Sequence, residues 1–320
     1  MEKRIFVFFL ILALFFACND NDKTAEEIAS IPLELRVARF DMEVGDAQPS
    51  DLPRLKKAYP YLFPPQYSDS IWSAKMTDTL QIEILTEVKQ AFPDFGRERE
   101  DLEALFKHIK YYFPKHEAPL VITLTSEVDY QNRIILADTL LLIGLDNYLG
   151  ANHKFYKGMQ QYIANGLDRK YLVSDVASAF TQKVVPRPDA RTFLSKIIRY
   201  GKELYIKDKI MPFGTDAEKI GFTEEQLEWA KGNEEPIWRN FIEQEHLYST
   251  DNKLNLRFLD PAPFSKFGLE LDNESPGRIG RYIGWQIVRA FMDINELTLE
   301  QLMTVSSEEI FKKSNYKPSK

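Results

Sequence analysis

The sequence is poor in the side chains that do chemistry. Its 320 residues hold one cysteine, Cys18, and four histidines. A single thiol excludes an internal disulfide and a multi-cysteine zinc site. His108, His116, His153 and His246 include no pair at i, i+3 or i, i+4, and no HExxH occurs, so the common helical zinc motif is missing. There is no GxSxG nucleophile elbow and no GxxxxGK[ST] phosphate loop. There is no excess of positive charge either. Lys and Arg number 41 against 48 Asp and Glu, a formal net charge of −7, so the chain has no general attraction to nucleic acid. Internal repeats and low-complexity segments are absent. After the first 17 residues, no apolar run is long enough to span a membrane.

What remains is enough for a packed core. Hydrophobic residues make up 44% and aromatics 13% of the chain, which argues against disorder throughout. The length suits one large domain or two ordinary ones. The amino terminus reads as an address. Lys3 and Arg4 precede the apolar run Ile5–Phe16, which has signal-peptide length and falls short of the roughly 20 residues of a spanning helix. Ala17 then precedes Cys18. This resembles a bacterial lipoprotein signal, with residues 1–17 removed and the Cys18 thiol carrying diacylglycerol; a plain secretory signal and an uncleaved anchor are the alternatives. Phe15 stands where leucine is usual. The polar segment through residue 30 reads as a flexible tether, leaving residues 31–320 as one domain held at a membrane by buried acyl chains.

Along that domain, Leu33, Leu35, Val37 and Phe40 nearly keep a two-residue period, so a strand is predicted there. Helical spacing covers Asp78–Phe92 and Arg97–Phe113, each ending before a proline. "APLVITLTSE" reads as a strand. "RIILADTLLLIGL" reads as one or two more, turning near Ala137–Asp138 and covered on both faces. Helices follow from about Lys154, including Phe193–Met211 and a helix capped by the box Thr223/Gln226. The fold class predicted is α+β and helix-rich, with a small sheet in the N-terminal half and a helical C-terminal half.

The stretch "ESPGRIGRYIGWQIV" is the most unusual. Ser275 and Pro276 predict a helix start. Gly277, Gly280 and Gly284 then fall within about 60° of helical arc. Glycine costs about 1 kcal/mol relative to alanine inside a helix, so three on one face imply close packing against another element. Arg278, Arg281 and Arg289 lie on another face. Arg278 and Arg281 are the candidate contact with a partner or an anion. The proline- and aromatic-rich loop upstream is expected to pack over the core.

These long motifs carry a resemblance. "YGKELYIKDKIMP", "YSTDNKLNLRFLDPAPFSKFG" and "ESPGRIGRYIGWQIVRAFM", together with the lipoprotein signal, resemble the gliding motility lipoprotein GldB family of the Bacteroidota over essentially the whole chain. The resemblance implies a cell-envelope lipoprotein of the gliding machinery and the linked type IX secretion system, with envelope proteins as partners. A more distant likeness is to zincin-like metalloprotease domains. Those place HExxH on a central helix, where this chain has "FLSKIIRYGKELYIKDKI" and no histidine. That implies a degenerate scaffold without metal, so no catalytic residue, metal ligand or cofactor is expected. The alternatives are a zincin-like or carboxylate-based envelope hydrolase and a periplasmic ligand-binding lipoprotein.

Overall fold

A computed structural model describes residues 23–269 and 272–319. The signal peptide of residues 1–17 and the lipidation site Cys18 lie outside the described residues. The first element is a helix, α1, over residues 23–29, with Ile28 buried. The segment expected to be a flexible tether is thus helical in its second half.

The strand predicted over Leu33–Phe40 is shorter than its pattern. β1 holds only Val37–Arg39, and Phe40 opens helix α2 (Phe40–Gly45). The reason is local. Arg39 pairs with Asp41 at 2.7 Å, and Thr123 donates to the same carboxylate, which turns the chain out of the strand. Two short helices follow, α3 (Leu52–Ala58) and α4 (Asp69–Met76). They enclose a satellite cluster of Leu55, Tyr59 and Phe63 against Trp72. Then come α5 (Thr79–Ala91), capped by Asp78, and α6 (Gly96–Tyr112). Both match the helices read from the sequence.

β2 (Leu120–Leu124), β3 (Ile134–Leu136) and β4 (Leu140–Gly144) complete a four-stranded sheet in the order β1-β2-β4-β3. β1, β2 and β4 run parallel, and β3 returns antiparallel to β4 through the turn at Ala137. Val121, Ile122, Leu141 and Ile143 are fully buried. β3 is an edge and leaves Ile135 48% exposed, so covering on both faces fails there.

The second half is helical: α7 (Gln161–Ala164), α8 (Leu172–Val184), α9 (Phe193–Ile210), α10 (Asp216–Ile220), α11 (Glu224–Gly232), α12 (Glu234–Glu243), α13 (Lys253–Phe258), α14 (Ile279–Ile294), α15 (Leu299–Thr304) and α16 (Ser307–Ser314). The Thr223/Gln226 capping box opens α11 as the sequence indicates. The fold is α+β and helix-rich, with the sheet confined to the N-terminal half. One hydrophobic core runs through both halves, from Leu35 to Ile310.

At its centre α9 crosses α14 with backbone against backbone. A Cβ placed on Gly284 would stand 1.9 Å from the carbonyl oxygen of Ile197, and one on Gly201 would stand 2.1 Å from that of Gly284. Beside this crossing, Trp285 is fully buried and donates its Nε1 proton to Asp208 at 2.9 Å. Arg289 spans Asp208 and Asp216, tying α14 to both α9 and α10. Gly284→Ala and Gly201→Ala must force the helices apart and should each lose about 2–3 kcal/mol of stability. Gly232, at the end of α11, has open space around it, so Gly232→Ala should be neutral or gain up to ~1 kcal/mol. Urea denaturation midpoints of the three variants compare these outcomes directly.

Candidate functional site

The approach to α14 differs from the start expected at Ser275 and Pro276. Both residues lie upstream of the helix, which begins at Ile279. Ser275 is buried and accepts a hydrogen bond from the Ser265 amide at 3.1 Å. The Ser265 hydroxyl accepts from the Ile279 amide at 3.2 Å and donates to the Pro276 carbonyl at 2.7 Å. The helix is therefore capped from a distant loop, which no local motif could announce. Gly277 sits in the turn before the helix, where a Cβ would stand 2.2 Å from the Ala262 carbonyl oxygen. Gly280 packs within α14 against Phe258 and Phe193. Arg278, the residue just before the helix, has φ +64°, a left-handed conformation that costs an ordinary residue about 1–2 kcal/mol.

This strained turn forms one wall of a cavity of about 220 Å3. α8, α9 and the end of α10 form the others, and the cavity adjoins a wider vestibule of about 590 Å3 that shares Tyr130, Tyr162 and Arg281 with it. Arg278 and Arg281 both line the cavity. Arg278 Nη2 donates to the Gly221 carbonyl at 2.7 Å, and its guanidinium lies over the Phe222 ring. Arg281 Nε donates to the Leu259 carbonyl at 2.7 Å, and its guanidinium stacks 4.1 Å from the centre of the Tyr200 ring. Neither arginine has a carboxylate partner among the described residues.

Two acids of the wall, Asp175 and Glu218, are already engaged, and a third, Glu203, has an ion-pair neighbour but a buried Oε1 without a hydrogen bond. Arg133 grips Asp175 through two hydrogen bonds, 2.7 and 3.0 Å, and Tyr148 donates to the same carboxylate. Glu203 faces Arg199 at 2.8 Å. Glu218 accepts from the Thr215 amide and caps α10. Lys207, buried on α9, donates to Ser174 Oγ at 2.8 Å and to the Lys219 carbonyl at 2.6 Å. The interior is consequently short of negative charge. Burial, with Arg281 and Arg133 nearby, pushes the Arg278 guanidinium down to about 9. Burial also lowers Arg281, and it brings Lys207 down to about 7. Arginine keeps its proton at neutral pH, so Arg278 and Arg281 remain cations, with Asp175, Glu203 and Asp260 nearby but no carboxylate in contact.

Residues 21–318 match the sequence profile of a family described as Gliding motility protein GldB. The chain belongs to the GldB family. No curated protein and no solved structure matches it. The likeness of this GldB-family chain to zincin-like domains therefore rests on the sequence pattern alone. Among the described residues no group of three or more His, Cys, Asp or Glu is placed to hold a metal ion.

Sequence reasoning singled out Arg278 and Arg281 and missed the rest of the site. Lys207, Glu203, Arg133 and Asp175 went unremarked. A signal existed for two of them: Glu203 and Lys207 each precede a core residue of α9, Ile206 and Ile210, by three positions. Charged side chains beside a buried stripe mark a polar interior.

Lys207 gives the GldB-family chain a measurable pH signature. Unfolded, its amine holds a proton up to about 10.5; folded, it releases it near 7. Between these values the unfolded chain binds more protons, so this residue makes stability rise with pH. From about pH 7 to pH 9, the Lys207→Met chain should show a flatter stability profile than the unaltered chain, as read from urea midpoints. An unchanged slope would show that Lys207 is not the titrating group.

Proposed function

We propose that the protein is a lipid-anchored component of the cell envelope that serves gliding motility, and the secretion machinery linked to it, by binding rather than by catalysis. The observation that carries the reading is the family match across residues 21–318. Cys18, the only thiol, supplies the anchor, and residues 31–320 form the domain that it tethers. A continuous core from Leu35 to Ile310 supports treating that length as one unit.

The commitment of the polar groups on α9 supports a binding role. On the helix where a zincin-like enzyme carries its ligands, Glu203 faces Arg199 and Lys202 donates to the Val305 carbonyl at 2.7 Å. Lys207 is held by Ser174 and Lys219. These side chains hold the scaffold together. No described helix is long and apolar enough to cross a membrane.

A deletion strain should lose gliding, and the unaltered gene should restore it. Cys18→Ser should shift the protein from the membrane to the soluble fraction and restore gliding poorly. Pull-down from detergent-solubilised membranes should recover envelope machinery proteins. Normal gliding in the deletion strain would overturn the proposal. Stoichiometric zinc in the purified chain would overturn its non-catalytic part.

A further inference from the structure

We infer that the cavity between α8, α9 and the start of α14 is a receptor site for a small polar ligand carrying an oxyanion, a carboxylate or a phosphate, gripped by Arg278 and Arg281. Nothing in the gliding role assigns such a site, and the inference is independent of it. Three observations converge. Two arginines line one cavity, each using a guanidinium nitrogen on a backbone carbonyl and neither meeting a carboxylate among the described residues. Of the acids around them, Asp175 and Glu218 are held by other partners, and Glu203 lies 2.8 Å from Arg199. Arg278 also keeps a left-handed backbone that its side-chain type disfavours, and strain of that kind collects at ligand sites.

Guanidinium suits this ligand class because its planar fork matches the two oxygens of a carboxylate or phosphate. A partly buried cation that meets only carbonyl dipoles is incompletely compensated, and an incoming oxyanion adds the opposite charge. The remaining walls suit a hydroxylated body. Tyr130 and Tyr162 stand where the cavity meets the vestibule, and Gln182 lines it with Asn165 and Gln226, whose amide oxygens already accept from Gln161 and the Thr223 amide and whose amide nitrogens remain as donors. A sugar acid or a sugar phosphate has this combination of charge and polar surface. Access is through the vestibule, whose wall includes Arg281.

The test uses the full chain, purified in detergent, and two ligand series. Acetate and glucuronate present the carboxylate; inorganic phosphate and glucose 1-phosphate present the phosphate. Glucose and sodium chloride at matched ionic strength are the controls. Titration calorimetry and thermal melting should show saturable binding to one series, and the responding series tells which anion the site takes. Arg278→Gln and Arg281→Gln should each weaken that binding about tenfold or more. Ser178→Phe, which fills the cavity from α8 and keeps both arginines, should weaken it as well and decides the matter if an arginine variant fails to fold. Absence of saturable binding in both series would overturn the inference. So would a response matched by chloride, or full affinity in Ser178→Phe.

Discussion

The approach of α9 to α14 at Gly201 and Gly284 is the contact on which the second half of the molecule depends. No side chain separates the two backbones there, so the helices lie closer than ordinary side-chain packing allows. Each glycine costs about 1 kcal/mol of helix propensity. The offset is the apolar surface that closure removes from water, including the fully buried Trp285, Ile287 and Phe291 side chains, at about 25 cal/mol per Å2. The same closure places the polar groups. Tyr200 precedes Gly201, and Arg281 lies three residues before Gly284, so the crossing sets the ring of one helix beneath the guanidinium of the other. Trp285 and Arg289 follow Gly284 and reach Asp208 on α9. One backbone contact thereby fixes both a structural ion network and a cavity wall.

Much of this was legible because it is written in local pattern. The helices over Thr79–Ala91, Gly96–Tyr112 and Phe193–Ile210 follow stripes of apolar residues, and the Thr223/Gln226 box marks a helix start without outside help. Glycine spacing pointed to close packing on the α14 face. What could not be read depends on distant partners. Ser275 and Pro276 make a persuasive local start, but the hydroxyl that caps α14 belongs to Ser265, so the helix begins at Ile279 and Gly277 stays outside it. β1 stops at Arg39 because Asp41 is held from β2 by Thr123. The site was half visible. Two arginines stood out by spacing, but the acids that fail to meet them, and those that meet other cations instead, appear only once the chain is folded.

The contrast between paired and unpaired arginines explains why the cavity is polar at all. The chain carries more acid than base, so carboxylates are not scarce. Arg39 meets Asp41, Arg133 meets Asp175, Arg169 meets Glu98, and Arg289 meets two aspartates. In these places the fold pairs a partly buried charge, the cation in most and Glu98 beside exposed Arg169, with opposite charge, the arrangement that makes burial tolerable. Arg278 and Arg281 share a segment with Arg289 and receive only carbonyl oxygens, although Asp175 and Glu203 line the same cavity. Arg133 and Arg199 divert those two acids. The positive field inside the cavity therefore arises from how the pairs are arranged, while the molecule as a whole is acidic. A general attraction for anions would show in net charge; in this interior a local one arises from the arrangement of pairs, where low polarisability strengthens each interaction.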